Sequence, residues 1–431
     1  MPDGREPRKP PETTPRLLLL APPGSYRTVP YLEAAARLGV AAVVASTGRH
    51  ALVGGDGGLH LDLADPAASL ARIEAAAGPA GFAAVVATDD LTVELAARVA
   101  AALGLAGNAP EAAWLTRRKD LARSRLAAAG LPVPRHLRLD LTQPLAAQAR
   151  GFPFPAVLKP LALSGSRGVM RVDDLDALQR AATRLLPIVA HAAYPDEREQ
   201  ALLEAYLPGE EIALEGLLAG GRLEVLALFD KPDPLEGPFF EETYYVTPSR
   251  HPAALQRRAA EVVAAACVAY GLREGPVHAE LRLHRGEAWL LEVAARTIGG
   301  QCARLLRFGT GHGLEELVIA HALRRPLPRQ GSAEAAGVLM LPIAQRGILR
   351  RVEGVLQAQR VPGIEAVEIS VREGYELVPL PEGDSYLGFV FARAATPAAA
   401  EAALRAAHAC LEVVVAPVLH RGGGLRAVVE A

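Results

Sequence analysis

Residues 276–296 read PVHAELRLHRGEAWLLEVAAR, two apolar stretches that each carry a carboxylate and meet at a glycine-containing turn. Successive side chains of a β-strand point to opposite faces. In HAELRL, Ala279, Leu281 and Leu283 therefore share one face, and His278, Glu280 and Arg282 the other. In the second stretch Trp289, Leu291 and Val293 share a face, with Leu290 and Glu292 opposite. Register decides how the faces meet. A two-residue loop, Arg285-Gly286, pairs Glu280 with Leu291 and sends the two carboxylates to opposite faces. A three-residue loop, Arg285-Gly286-Glu287, pairs His284 with Ala288 and sets Glu280 directly across from Glu292. The three-residue loop is expected, because it gathers Ala279, Leu281, Leu283, Trp289, Leu291 and Val293 on one apolar face. Like charges directly opposite are destabilising. They become sensible with a divalent cation between them, and Mg2+ favours one or two carboxylates plus phosphate oxygens and water. The alternative is two solvated glutamates on an exposed sheet face.

The rest of the chain supplies the setting. RLLLLA (16–21), the helical pattern YLEAAARLGV and the run AAVVAS alternate as β-α-β, which implies a parallel sheet. GFAAVVATDD adds a strand and residues 91–105 a helix. This open α/β domain has no GxGxxG after its first strand, and the chain has no GxxxxGK. Residues 116–130 read as one helix ending on Gly130. FPAVLKPL and GVMRV flank the loop SGSRG (164–168) as a hairpin. Further strands lie around LPGEE and AGGR, a long helix spans 251–272, and another helix runs to about residue 323. RRPLPRQGSAEA (324–335) reads as a linker. Strands GVLMLPI, EAVEISV and YLGFVFA with a helix over 397–411 make a small α+β unit. The expected division is a disordered tail (1–15), an N-terminal α/β domain (16–115), a middle domain (116–325) containing a lid subdomain of about 132–203, and a C-terminal α+β domain (326–431).

A net charge of -2 gives no general attraction to nucleic acid or anionic membranes. No apolar run is long enough to span a bilayer. Residues 1–15 are Pro-rich, charged and without a signal-peptide apolar region. Cys267, Cys302 and Cys410 form no CxxC pair, against both a disulfide framework and a zinc site, and imply a reducing, cytoplasmic setting. Lysine supplies only four of the 46 basic residues: Lys9, Lys119, Lys159 and Lys231. Where arginine serves as the generic cation, a lysine kept in an ordered region points to a need for a compact charge on a flexible stem; chance is the alternative.

A Gly- and Ser-rich hairpin tip such as SGSRG exposes backbone N–H groups to phosphate. Ser166 lacks the GxSxG setting of a nucleophile. In order and spacing, Lys119 before AGLPVP, FPAVLKP with SGSRGV, LLEAYLPGEE, HAELRL and LLEVAARTIGG resemble the ATP-grasp superfamily over about residues 16–325. The form EVAAR, the stretch GPFFEET and the small C-terminal domain are similar to those of bacterial L-amino acid ligases. The resemblance implies an ATP-grasp fold preceded by a parallel α/β domain, with ATP and Mg2+ (or Mn2+) as cofactors. It gives Lys119 and Lys159 to the ATP phosphates, and Ser164, Gly165, Ser166, Arg167 and Gly168 to a loop over them. Glu204, Ala205, Tyr206 and Leu207 match the hinge at the adenine edge, largely through backbone groups, and Glu211 the ribose acid. Glu280 and Glu292 match the metal ligands, and Arg296 the arginine at the transferred phosphate and acyl oxygen, with a salt bridge to one of those glutamates as its other reading. Many members carry Asn where this chain has Ala294, which puts a second metal in doubt. Lys231, Glu242, His278, Gly299 and Gly300 are candidate substrate residues; a surface lysine and a structural histidine are the rival readings of Lys231 and His278. The implied reaction joins a small carboxylate and an amine, amino acids among them, through an acyl phosphate. A carboxylase or purine-pathway ligase using bicarbonate or another small acid, and a non-catalytic nucleotide sensor, are the alternatives. The C-terminal domain either closes over the pocket or mediates a homodimer. No nucleic acid or membrane partner is expected.

Overall fold

The computed structural model describes residues 14–47, 58–192, 194–307, 311–325, 327–328 and 334–418. All but the last two residues of the expected 1–15 tail lie outside them, as does part of the 324–335 linker. Among the described residues no helix is long and apolar enough to cross a membrane.

Strands Arg16–Leu20, Ala41–Ser46, Gly58–His60 and Ala84–Ala87 form a parallel sheet in which Arg16–Leu20 lies between Ala41–Ser46 and Ala84–Ala87. Leu17 to Leu20 are fully buried. A strand covered on both faces has no polar face to present, which explains the unbroken LLLL. The chain winds from Arg16–Leu20 out to Ala41–Ser46 and Gly58–His60 and then crosses back to Ala84–Ala87 on the other side, so the crevice at the carboxyl ends of Arg16–Leu20 and Ala84–Ala87 is a topological switch point where such sheets bind ligands. The loop at 22–27 and the residues Thr88 to Asp90 stand there.

The helix expected over 116–130 is two helices, Pro110–Arg117 and Lys119–Ala128. Arg118 between them is extended (φ -101°, ψ 97°), and its guanidinium donates to Asp120 and Asp196. Buried ion pairing at Arg118 outweighs the helical pattern, and the break places Lys119 at the first position of the second helix. A four-stranded antiparallel sheet follows, in the order His136–Asp140, Gln200–Ala205, Ala156–Pro160, Met170–Val172, backed by helix Leu175–Val189.

The central sheet has eight strands, all paired antiparallel: Glu287–Ala294, Gly275–His284, Glu210–Ala219, Arg222–Lys231, Tyr244–Thr247, Ala335–Leu341, Gly388–Ala394 and Ile364–Ile369. The sheet runs straight across the division drawn at residue 325, because Ala335–Leu341 pairs with Tyr244–Thr247. Helix Pro397–Ala409 and a small sheet (Glu376–Leu377, Gly347–Glu353, Glu412–Ala416) complete the C-terminal part.

Candidate active site

The hairpin turn has two residues, not three. Arg285 (φ 52°) and Gly286 (φ 78°) both adopt positive φ, and His284 pairs with Glu287. Such a primed turn matches the twist of its strands, which favours it over a three-residue loop. The two-residue turn alone would separate the carboxylates. A register shift between Glu280 and Leu281 leaves Leu291 as an extra residue, a β-bulge, and Glu280 comes to lie opposite Glu292 after all. The bulge also changes the apolar face. Ala288, Leu290 and Val293 join Ala279, Leu281 and Leu283 in the core under helix Ala253–Tyr270, whereas Trp289 and Leu291 are half-buried.

Glu280 and Glu292 face a cleft between the central sheet and the lid sheet. The cleft is also lined by Lys119, Lys159, Ser164, Gly165, Ser166, Glu204, Ala205, Tyr206, Leu207, Glu211, Glu242 and Arg296. Arg167, Gly168, Lys231, His278, Gly299 and Gly300 do not line it. Arg167 turns away, its Nε donating to the Glu382 carbonyl at 3.1 Å.

Both nucleotide-candidate lysines hold carboxylates here. Lys119 Nζ lies 3.2 Å from Glu292 Oε2 and donates to the Leu163 carbonyl at 2.8 Å. Lys159 Nζ lies 2.6 Å from Glu204 Oε2, and Arg123 donates to the other oxygen of that acid. Burial pushes the Glu204 carboxyl up, but Arg123 and Lys159 outweigh it and hold it at about 2. With its side chain so engaged, Glu204 offers the cleft mainly its backbone.

Lys231 is no surface lysine: it is 5% exposed. Its Nζ donates to Glu211 at 2.6 Å and to Glu242, and lies 3.4 Å from Glu280. Burial lowers the Lys231 pKa, but the three carboxylates outweigh it and keep it well above the usual lysine value. The Glu242 carboxyl is pushed up to about 7 by burial, with Lys231 opposing and Glu280 and Glu211 adding to the rise. Oxygens of Glu211, Glu242 and Glu280 lie within 4.8 Å of one another. His278 is buried between Glu215 (3.4 Å) and Glu280 (3.6 Å), and Glu215 accepts the Ile298 N–H at 3.1 Å.

Arg296 pairs with neither glutamate. Its Nε donates to Asp90 Oδ2 at 3.1 Å and its Nη1 to the Thr297 carbonyl. Asp90 was not singled out in the sequence, although an acid ending the strand pattern AAVVATDD at the switch point is a readable signal. Beside it, Asp89 accepts from Ser25 Oγ and Arg27 Nη1, both at 2.6 Å. A Cβ on Gly299 would stand 3.3 Å from Arg27 Nη2, and one on Gly300 would strike Met340 Sδ at 2.1 Å, so both glycines pack against neighbouring elements.

Glu280 and Glu292 fit a divalent cation. Each is an anionic acceptor on the cleft wall, each is at present held by a lysine, and a carboxylate keeps lone pairs beyond one ammonium contact. Lys119, Lys159 and the backbone of 164–166 fit phosphate. Ala294 is fully buried and offers no third ligand.

Residues 152–304 match the ATP-grasp domain, and residues 339–416 match the L-amino acid ligase C-terminal domain 2. A protein of Sinorhizobium fredii, uncharacterized protein y4rH, is 26% identical over 73% of this chain and 64% of its own length. The alanine–anticapsin ligase of Bacillus subtilis is 26% identical over 50% of this chain, which spans about half (48%) of that enzyme's length. The crystal structure of L-amino acid ligase from Bacillus licheniformis superposes with a TM-score of 0.77 at 24% identity, covering 94% of this chain and 99% of that one. The acid pair and the cleft lining other than Lys119 and Pro134 lie within the first matched stretch, and the last strands of the central sheet within the second. The chain therefore has the ATP-grasp fold, and it joins an ATP-grasp domain to the C-terminal domain of L-amino acid ligases.

Proposed function

We propose that this protein is an ATP-dependent carboxylate–amine ligase that forms an amide, a dipeptide or an amino-acid conjugate, and releases ADP and phosphate. The observation that supports the reading is the convergence of Lys119, Lys159, Glu280, Glu292 and Arg296 on one cleft partly roofed by Ser164 to Ser166. An oxygen of the acid substrate attacks the γ-phosphorus, and the bond to the ADP oxygen breaks. The amine nitrogen then attacks the acyl carbon, phosphate leaves, and the nitrogen loses its proton.

Little covalent work falls to the protein in such a transfer, so positioning and charge stabilisation dominate. Lys119 and Lys159 hold phosphate oxygens, exchanging Glu292 and Glu204 for them. The backbone of Glu204 to Leu207 meets the base, and Glu211 the ribose. Glu280 and Glu292 would hold Mg2+ or Mn2+, which would supply neutralisation of phosphate charge. Arg296, fixed by Asp90, faces the acyl oxygen on which negative charge develops. Glu242 borders the acid-substrate end, with Lys231 holding it from behind and His278 behind Glu280. The relatives' names favour amino acids as substrates.

The test is ADP release measured against pairs of amino acids, single amino acids with other amines, and bicarbonate. Release that requires two amino acids, with the dipeptide seen by mass spectrometry, supports the proposal. Bicarbonate-dependent release would assign a carboxylase instead. Tight ATP binding without turnover on any pair would assign a sensor.

A further inference from the structure

The C-terminal part meets the loop 164–168 through a tight turn at residues 379–384. Gly383 N–H donates to the Pro379 carbonyl at 2.9 Å, and a Cβ on Gly383 would lie 1.9 Å from the Val378 carbonyl oxygen, so only glycine fits there. This rigid turn holds the loop 164–168 by its far end. The Gly168 N–H donates to the Pro381 carbonyl at 2.9 Å, and Arg167 donates to the Glu382 carbonyl and stands 3.5 Å from Asp384. Behind the loop, Arg184 of helix Leu175–Val189 donates through Nε and Nη2 to both Glu382 oxygens, at 2.5 and 2.9 Å. The same guanidinium lies over the Phe239 ring, 5.0 Å from its centre. Phe239 belongs to the segment GPFFEE that carries Glu242, and that segment also accepts Arg171 N–H at the Pro238 carbonyl. The C-terminal part meets that segment again where the Ile343 N–H donates to Glu241 Oε1 at 3.2 Å. One arginine thus joins the segment with Glu242 to the C-terminal turn, and the turn in its own right holds the loop.

We propose that the turn 379–384 is a latch for the loop 164–168, with Arg184 and Glu382 as positioning residues that hold the loop over the cleft. The latch stands on the contacts alone; its consequence rests on the ligase reading. A latched loop keeps water from the phosphorus while the amine attacks. An unlatched one admits water, which takes the phosphoryl group from ATP and leaves ADP and phosphate with no amide formed. This gives the C-terminal part a task at the cleft, through side chains that touch no reacting atom.

Hydrogen exchange on the full chain without nucleotide reads the latch directly. The Arg184–Glu382 pair is partly exposed, so in Glu382→Gln peptides covering 160–172 should exchange roughly fivefold faster. Glu382→Arg should accelerate them further, and the exchanged pair Arg184→Glu with Glu382→Arg should restore them. Peptides from Ala335–Leu341 should stay unchanged in all three. Unchanged exchange at 160–172 in Glu382→Arg, or no recovery in the exchanged pair, would overturn the latch. With ATP and substrates, Glu382→Arg should raise ADP released per amide formed and raise the KM for ATP. The exchanged pair should reverse both effects. An unaltered ratio in a variant whose loop exchanges faster would overturn the consequence. If the parent turns over no acid–amine pair while exchange behaves as expected, the ligase reading fails and the latch stands.

Discussion

Replacing Lys231 by methionine removes the charge that three carboxylates share while keeping most of the side-chain volume. Arg282 still reaches Glu211 at 3.3 Å, and His278 still stands 3.6 Å from Glu280, so Glu242 bears most of the loss. Removing one partner of a buried pair costs about 3–5 kcal/mol. Glu242 retains 16% side-chain exposure, which puts the cost near the lower end, roughly 3 kcal/mol. For a chain of 431 residues that corresponds to a fall of roughly 3 °C in the melting midpoint. The penalty depends on pH. Glu242 already has its pKa raised to about 7 with the lysine present, and losing a nearby cation raises it further. A group with a raised folded pKa contributes stability below its unfolded value and loses it as pH rises through the folded one. The variant should therefore melt a few degrees below the parent at about pH 8 and close to it at about pH 5. Millimolar Mg2+ should restore part of the loss at the higher pH, because Glu211, Glu242 and Glu280 then offer an uncompensated acidic site. Circular-dichroism melts of both proteins at the two pH values, with and without Mg2+, make the measurement. A variant as stable as the parent at about pH 8, or a difference that ignores pH, would refute the reasoning.

Glu292→Gln should lower ligase turnover by roughly 10²-fold or more while leaving the melt unchanged, and full activity with Mg2+ would remove Glu292 from the metal site. Glu204→Gln should destabilise by about 3–5 kcal/mol near neutral pH, because Arg123 and Lys159 lose their shared anion. The parent's Glu204 contribution is present above the unfolded carboxylate pKa and lost as pH falls toward about 2. Denaturation curves across the acid range should show that loss in the parent and a smaller one in the variant. Gly286→Ala should cost about 1 kcal/mol from its positive φ alone, since no atom stands within 4 Å of the added Cβ; a denaturant midpoint reads it directly.

The site was legible where chemistry repeats in the sequence and obscure where backbone geometry intervenes. Four lysines among 46 basic residues flagged Lys119, Lys159 and Lys231, and all three stand at or just behind the cleft. The opposition of Glu280 and Glu292 was anticipated, but through a three-residue turn. The chain uses a two-residue turn and a bulge, which lead to the same pairing. Strand alternation cannot reveal a bulge, because one extra residue leaves composition and turn signals unchanged. The break at Arg118 was hidden for a related reason: TRRKDLARSRLAAAG is helical in pattern, and of the two acids that Arg118 pairs with, Asp120 and Asp196, the second lies far along the chain. Strand Tyr244–Thr247 is four residues long, too short for periodicity to show, yet it is the link on which Ala335–Leu341 pairs.

That short strand limits what can be removed from the molecule. Cutting the chain before Ala335 would strip one side of Tyr244–Thr247 and leave its N–H and C=O groups without partners, next to the buried Tyr245 and Phe229. An exposed edge of aromatic and β-branched residues is a template for pairing with other chains. A fragment trimmed to residues 16–325 would therefore be prone to self-association. Truncation, fusion or domain exchange should keep Tyr244–Thr247 and Ala335–Leu341 together.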